Sequence, residues 1–423
     1  MRKYILSFLL LFAVAIGYAH PMPASVVKLS VMDGYIKGEA KMPLPELESA
    51  INHPVDHITT DPYFRIYFAD HIKAFTGVTA WRRAVIRSVK LTMAQDAAVG
   101  KYQQVEITFE LTPAKAADLR QFTFDYDVIM HQVITHEALV LLQQDWYTGL
   151  NEESAARVIG TIKLDVPSGK IYPLSIKLEE GSTWKGFVSM MQLGMQHIKE
   201  GTDHLLFLIV LLLPAMLIAE NKKWGRFGGL KYSLTNLIKI VTAFTIGHSI
   251  TLLLCASGWL NVPSQPIEIL IAGSILVSAA HAVRPLFPGR EVYIAAGFGL
   301  IHGMAFASVL AGLDLNVSTL ALSILGFNLG IELMQLFIIL IIAPWLILLS
   351  RTNFYALFRI PAAVLAGIAA LGWIAERVTG RANAITIALN NITPYAPRLI
   401  ILLAITACLF SIKLKRTQRI DNQ

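Results

Sequence analysis

A chain of 423 residues in which 55% are hydrophobic and 15% are charged is too apolar for a purely soluble protein, since soluble domains are roughly 45–50% apolar and about 25% charged. A net charge of +7 could suggest a nucleic-acid partner. We exclude one, because the basic residues cluster at the edges of apolar segments, where membrane topology accounts for them. Composition therefore predicts a soluble domain joined to a lipid-embedded one.

The first nineteen residues have the plan of a signal peptide. Two basic residues precede a long apolar run, and the small residue Ala19 closes the segment. We predict a signal peptide at residues 1–19 that is cleaved before His20, with an uncleaved anchor as the alternative. In either case residues 20–183 are expected to be exported.

Residues 20–183 are predicted to form an exported all-β, sandwich-like domain. About eight short stretches alternate apolar and polar residues between turns, as in a β-sandwich; they include "SVVKLSV", "YQQVEITFEL" and "FTFDYDVI". Asp33-Gly34 predicts a hairpin between the first two strands, and "PLPELESAINH" predicts one helix. Both cysteines, Cys255 and Cys408, lie beyond this domain, so we expect no disulfide in it.

The histidines of the exported domain give weak signals. After cleavage, His20 would combine a free amine with an imidazole, a pair that can bind copper or nickel; a frayed terminus is the alternative. His53 and His57 could chelate a metal only on a helix, and a solvated loop is the alternative. His131 and His136 would point to opposite faces of a strand, so they could not share an ion.

Residues 184–412 are predicted to form a helical bundle of about seven membrane spans. The apolar blocks lie near residues 186–219, 232–254, 266–283, 292–312, 318–349, 360–376 and 397–412. An exported start and seven spans place the basic tail, residues 413–423, in the cytoplasm. Lysine and arginine concentrate in the expected cytoplasmic loops, and only the last outer loop departs, with Arg377, Arg381 and Arg398. We predict an integral protein of a bacterial-type inner membrane.

Ionisable residues recur inside the apolar blocks, where they are costly and commonly line an ion or substrate path. The candidate metal-binding residues are His197, Asp203, His204, His248, His302 and Glu332. Span direction places the last four of these at depths that allow them to converge. Imidazole suits zinc, copper, iron and nickel, whereas magnesium or calcium would need more carboxylates. Glu268, as an outer vestibule charge, and Asn328 are accessory candidates.

The spacing within the first block sets a constraint. On a straight helix, His197 and His204 would lie on one face but about 10 Å apart along the axis, and Asp203 would point about 120° away. Either these residues are successive stations along a path, or the helix breaks at Gly201-Thr202. Glycines beside the later histidines permit either local unwinding or close helix packing.

Two motifs carry a resemblance to a known family. "HIKEGTDH" in the first block and "IHGMA" in the fourth occur in this order, and the chain resembles the HupE/UreJ family over roughly residues 184–412, in the branch with an exported N-terminal domain. That family is associated with nickel-dependent hydrogenases and ureases, and its members are regarded as permeases for nickel or related divalent metals. The resemblance implies transport roles for the two histidines and the aspartate of the first motif and for His302. Ile301 stands where a phenylalanine often precedes that histidine.

Without a nucleotide-binding loop, the chain is predicted to be a secondary permease that moves a divalent transition-metal cation inward, with nickel as the first candidate. Two charges crossing 100 mV release about 4.6 kcal/mol, which can drive uptake. Its ligands must be deprotonated, so uptake should depend on pH. No tightly bound cofactor is expected. The partners would be the metal, the lipid bilayer and proteins that mature metalloenzymes.

Two alternatives stay open. One is an intramembrane zinc-dependent hydrolase, which needs three ligands within about 2.2 Å of one ion and an open fourth position. The other is an accessory protein whose β domain delivers a metal while the bundle anchors it. A transporter can instead spread its ligands along a path, which the seven-residue spacing of the first two histidines favours. We therefore predict a transporter rather than an enzyme.

Overall fold

The computed structural model describes residues 23–421, except 52, 54, 56, 97–98, 115–117, 152–153, 258, 261 and 306–314. The predicted signal peptide and His20 lie outside the described residues. The chain divides into two compact units, an N-terminal unit of residues 1–181 and a C-terminal unit of residues 182–423.

The N-terminal unit contains two sheets and two helices in its described part. Its strands are β1 Ser25–Val31, β2 Ile36–Pro43, β3 Ile72–Thr76, β4 Thr79–Ala80, β5 Val85–Asp96, β6 Gly100–Leu111, β7 Gln121–Tyr126, β8 Glu137–Asp145, β9 Arg157–Asp165, β10 Lys170–Ile171 and β11 Leu174–Lys177. The helices are α1 Leu44–Ala50 and α2 Pro62–His71. One sheet has the order β10-β9-β8-β1-β2-β6-β5 and the other β11-β7-β3-β4. The pairing of β1 with β8 is parallel.

The alternating sequence pattern produces these strands because one face of each is buried. In β1 and β2 buried residues alternate with partly exposed ones, and Gly34, with φ +86°, allows the hairpin between them. Both sheets contribute to one apolar core, where the rings of Phe109 and Phe124 stack at 6.5 Å. The β-rich unit is confirmed, and α1 lies within the predicted helical stretch, whereas α2 was not predicted. The sandwich arrangement stays a prediction.

The C-terminal unit is helical apart from one hairpin. Its helices are α3 Thr183–Glu200, α4 Thr202–Ala215, α5 Leu230–Ala256, α6 Ser264–Val283, α7 Glu291–Ala305, α8 Val317–Ser350, α9 Tyr355–Thr379, α10 Ala384–Ile392 and α11 Ala396–Asp421. The hairpin is formed by β12 Leu217–Glu220 and β13 Lys223–Phe227. It occupies a loop that the charge pattern predicts to be cytoplasmic.

Four of the described helices, α5, α6, α8 and α9, are long and apolar enough to cross a membrane. A fifth span results if Ala384–Tyr395 and Arg398–Ile412, which are bent by 71°, count as one. The chain is thus an integral membrane protein, and the count of seven spans stays a prediction. The first apolar block is not one helix, because it is divided at Gly201 and ends in β12. α11 continues without interruption into the predicted tail.

Two pairs of helices approach each other through glycine. Where α3 packs on α8, a Cβ atom at Gly194 would lie 2.0 Å from the carbonyl oxygen of Phe327, and one at Gly330 would lie 2.0 Å from that of Met191. Where α5 packs on α7, a Cβ atom at Gly247 would lie 2.2 Å from the carbonyl oxygen of Ala296. α5 and α8 run unbroken through these glycines. The glycines therefore serve close packing rather than local unwinding.

Replacing Gly330 by alanine should destabilise the C-terminal unit by about 1–3 kcal/mol, because the new methyl group would overlap backbone that cannot move aside alone. Thermal unfolding of the purified protein in detergent measures the effect. Gly297→Ala is the matched control, since an added Cβ atom there has no neighbour within 4 Å and alanine favours a helix by about 1 kcal/mol. Equal melting temperatures for the two variants would contradict the packing role.

Candidate metal site

The polar motif of the first apolar block is divided by a helix break. α3 ends at Glu200 and α4 begins at Thr202, with Gly201 between them at φ −71° and ψ 91°. The break brings the rings of His197 and His204 to a centroid distance of 4.6 Å, whereas an unbroken helix would hold them about 10 Å apart. The helix break at Gly201 that the sequence allowed is therefore observed.

Asp203 orients the ring of His204. Its Oδ1 atom lies 3.0 Å from the Nδ1 atom of His204 and accepts a hydrogen bond from the His204 backbone N–H at 2.9 Å. The carboxylate therefore does not point away from the cluster as expected, because it folds back over the start of α4. A carboxylate accepts hydrogen bonds, so Nδ1 carries the ring proton and Nε2 keeps its lone pair. That Nε2 atom is buried, and among the described residues it has no hydrogen-bond partner.

The tautomer of His302, on α7, is fixed by a serine. Ser274, on α6, donates its hydroxyl proton to the carbonyl oxygen of Ile271 at 2.7 Å, and its Oγ atom lies 3.0 Å from the Nε2 atom of His302. Because the hydroxyl has only one proton, its oxygen must accept from His302, and the lone pair of the ring is left on Nδ1. This Nδ1 atom is also buried, without a hydrogen-bond partner in the described part of the chain.

His248, on α5, repeats the arrangement with an amide. Asn328, on α8, donates its Nδ2–H to the carbonyl oxygen of Ile324 at 2.9 Å, which turns its Oδ1 atom toward the Nδ1 atom of His248 at 3.2 Å. The amide oxygen can only accept, so Nδ1 of His248 carries the proton and Nε2 keeps the lone pair. Within the described residues that Nε2 atom is buried and unpartnered. Asn328, an accessory candidate, thus orients a histidine.

The histidines form pairs rather than one closed site. An imidazole nitrogen binds zinc at about 2.0–2.1 Å, so two ligands at a tetrahedral angle have ring centres about 5 Å apart. The rings of His197 and His204 are 4.6 Å apart and those of His204 and His302 are 5.0 Å apart. Across the described ranges, however, no three His, Cys, Asp or Glu side chains are placed to hold one ion. His204 is common to both pairs.

Phenylalanine rings enclose the histidines. Phe207 and Phe244 lie 5.0 Å and 5.1 Å from the ring of His302, and Phe327 lies 5.6 Å from that of His197. Phe244 and Phe327 also border His248, at 6.2 Å and 6.3 Å. These apolar rings exclude water from the lone pairs of His248 and His302. Each of the two nitrogens has therefore lost its solvent partner, which is costly unless a ligand replaces the water.

Glu332 contacts a threonine rather than a histidine in the described part of the chain, and its convergence with the histidines stays a prediction. Its Oε1 atom accepts a hydrogen bond from the hydroxyl of Thr242 at 3.3 Å. Three residues further along α5, the hydroxyl of Thr245 donates to the side-chain oxygen of Gln335 at 3.3 Å. Thr242 precedes His248 by six residues, or about 9 Å along α5. These two hydrogen bonds place further polar side chains along the α5–α8 interface, away from the buried histidines.

Glu268 has a neighbour that the sequence did not suggest. Its Oε2 atom lies 3.3 Å from the Nε atom of Arg377, and the Nε2 atom of Gln265 donates to the carbonyl oxygen of Arg377 at 2.7 Å. The ion pair neutralises one of the arginines that departed from the predicted charge distribution. Glu268 therefore forms an ion pair at the protein surface. Its role as a vestibule charge stays a prediction.

The histidines of the N-terminal unit are held by structural contacts. His53 binds Asp61 at 2.8 Å. The ring of His131 stacks on that of His71 at 4.3 Å, with planes only 22° apart, and nearly parallel rings cannot both direct a lone pair at one ion. His131 and His136 lie in the turn segment between β7 and β8, not on the strand that was assumed.

One buried network in this unit has the order of groups found in hydrolytic triads. The Oγ atom of Ser25 lies 2.7 Å from the Nε2 atom of His136, whose Nδ1 atom contacts the carboxylate of Glu46. Burial lowers the pKa of His136, against the raising effect of Glu46. Ser25 is fully buried and His136 is only 3% exposed, so a substrate cannot reach the hydroxyl. The contact ties β1 to α1 and to the start of β8.

Sequence reasoning missed the residues that fix the histidine rings. Ser274 carried no signal, because a serine in an apolar helix usually bonds a carbonyl of its own helix, as Ser274 also does. The phenylalanines carried no signal either, because an apolar residue inside an apolar block is not distinctive. Only their contacts across helices distinguish them.

The helical bundle and its buried histidines define a polytopic membrane protein with a candidate ion path. A family described as HupE / UreJ protein matches residues 175–377, and the chain belongs to the HupE/UreJ family through this segment. The match includes both histidine motifs and associates the chain with nickel or cobalt transport or with an accessory role in it. No curated protein and no solved structure matches the chain.

Proposed function

We propose that the protein is a secondary permease for a divalent transition-metal cation, with nickel as the first candidate. The metal moves inward through the helical bundle of an inner membrane. In this orientation the N-terminal unit is exported and the C-terminus is cytoplasmic, as the loop charges favour. The metal is the cargo, so its ligands need to bind it transiently and not enclose it permanently.

The observation that carries the proposal is the set of buried imidazole lone pairs on His204, His248 and His302. Each ring has its proton fixed on one nitrogen by an acceptor, and its other nitrogen is buried without a hydrogen-bond partner among the described residues. Hydrogen-bonded outer partners of this kind commonly orient and strengthen metal-binding histidines. Imidazole nitrogen favours nickel, copper and zinc over magnesium and calcium.

The pairwise arrangement supports movement of the ion from station to station. His204 belongs to both close pairs, so an ion can exchange one partner while it keeps the other. Beyond His248, the Thr245–Gln335 and Thr242–Glu332 contacts supply oxygen atoms along the α5–α8 interface. We assign Glu332 to this later part of the path, where weaker oxygen ligands would favour release.

Transport by the purified protein tests the proposal. We expect full-length protein in liposomes to accumulate radioactive nickel several-fold above protein-free liposomes when the interior is negative, because a 100 mV potential favours entry of a divalent ion by about 4.6 kcal/mol. Cobalt, zinc and copper compared under the same conditions establish selectivity. Collapse of the potential with an ionophore should reduce accumulation. Uptake equal to that of empty liposomes for all four metals would reject the permease.

A further inference from the structure

A cavity of about 390 Å³ lies where α8 ends and α9 begins, beside the β12–β13 hairpin. Three arginines contribute to its lining: Arg226 of β13, Arg351 at the end of α8 and Arg359 of α9. None of the described residues that line it is acidic. Glu220 of β12, which does not line the cavity, lies 3.3 Å from Arg226 and offsets one of these charges. Arg351 and Arg359 leave the cavity with net positive charge at one end of two candidate membrane spans.

Arg359 is the most constrained of the three. It is only 5% exposed, and its Nη1 atom donates to the carbonyl oxygens of Ala282 and Val283 at the end of α6. In the described part of the chain, its buried Nε atom has no hydrogen-bond partner and no carboxylate lies within ion-pair distance of its guanidinium. A buried guanidinium without a counter-charge is costly. An anion in the adjacent cavity would offset that cost.

Other groups around the cavity also favour an anion. The guanidinium of Arg351 lies 5.2 Å from the centre of the Phe227 ring, which holds the charge at the cavity. The lining includes the first turn of α9, at Tyr355, and the start of a helix carries a partial positive charge. The C-terminal end of α8 carries a partial negative charge. This charge is reduced, because the backbone nitrogen and the hydroxyl of Thr352 both donate to the carbonyl oxygen of Leu349.

We propose that this cavity binds the phosphate group of an anionic phospholipid. Arginine recognises phosphate through paired hydrogen bonds. The neighbouring surface suits acyl chains, because α9 exposes Leu357, Ile360 and Val364 in succession. The basic loops nearby belong to the predicted cytoplasmic side, where anionic lipid is attracted to clustered arginine. The lipid would connect the hairpin to the ends of α6, α8 and α9.

Lipid retention by the full-length protein tests this site without any metal. Protein is placed in bilayer discs of phosphatidylcholine that contain phosphatidylglycerol, and native mass spectrometry counts the phosphatidylglycerol that stays bound after release into detergent. We expect the Arg226→Gln, Arg351→Gln double variant to retain on the order of tenfold less. The Arg284→Gln, Arg290→Gln double variant is the matched control, because it removes the same two charges from exposed arginines that follow α6 and do not line the cavity.

Arg359→Lys provides a second variant, since it keeps the charge but loses the paired geometry, and it should also retain less phosphatidylglycerol. A melting temperature raised by phosphatidylglycerol but not by inorganic phosphate assigns the site to lipid. Protection by inorganic phosphate alone, or equal lipid retention in the cavity double variant and in the Arg284→Gln, Arg290→Gln control, would overturn the proposal. None of these measurements depends on transport, so the lipid site and the permease can fail independently.

Discussion

Nickel accumulation in cells that express His204→Ala should fall on the order of a hundredfold relative to the unmodified protein. His204 belongs to both close histidine pairs, so its loss leaves no intact pair along this part of the path. Loss of an outer partner alone commonly costs about 10–100-fold in metal affinity, and loss of a ligand shared by two pairs should cost at least as much. Uptake of radioactive nickel at matched expression measures the effect.

Variants of the other histidines should reduce nickel uptake less than His204→Ala does. His302→Ala and His197→Ala each leave one pair intact, so we expect a smaller loss, about tenfold. His281→Asn is the control within the bundle, because His281 is equally buried but its Nδ1 atom accepts from the backbone N–H of Leu286, a role that asparagine can take. Unchanged accumulation of nickel, cobalt, copper and zinc in His204→Ala would exclude the histidine path.

Gly201→Ala is expected to reduce nickel uptake about tenfold while the protein remains folded. A Cβ atom at this position would lie 2.8 Å from the carbonyl oxygen of His197 and 2.8 Å from the Nδ1 atom of His204. The ring of His204 must move, which breaks its contact with Asp203 and releases its orientation. The backbone angles of Gly201, φ −71° and ψ 91°, are open to alanine, so the effect comes from the contact and not from backbone strain.

Gly273→Ala is the matched control for this variant, since it adds the same methyl group to an apolar helix at a position with no neighbour within 4 Å. Both variants are compared for uptake and for melting temperature. We expect a lower melting temperature for Gly201→Ala, because the carbonyl oxygen of His197 belongs to the backbone, with the protein still folded at the temperature of the uptake assay and uptake reduced only in this variant. If the two variants transport equally well, the helix break does not position His204 for the ion.

The strands of the N-terminal unit were largely predictable. Side chains alternate across a strand with a period of two, so β1 and β2 could be read directly, and Asp33-Gly34 supplied the turn between them. α2 was not predicted, although its buried Phe64, Tyr67 and Phe68 have the i, i+3, i+4 spacing of a helix and Asp61-Pro62 marks its start. The helix is only ten residues long, and its aromatic residues also favour a strand.

The candidate site was predictable in its residues but not in its geometry. A histidine within an apolar block is costly wherever the helix lies, so His204, His248 and His302 stood out from composition alone. Glu332 stood out for the same reason, and its approximate depth grouped it with the histidines. Span direction fixes only an approximate depth, and a few residues along a helix displace a side chain by several ångströms.

The sequence by itself determined that this chain joins a β-rich unit to membrane helices, and which polar residues those helices carry, because burial and hydrocarbon select for local patterns of apolar residues. Only the tertiary structure decided which nitrogen of each histidine keeps its lone pair. That choice depends on Asp203, Ser274 and Asn328, two of which lie on different helices from the rings they orient. Hydrogen bonds between distant segments act through distances and angles that are set only when the helices pack, and no local pattern records them.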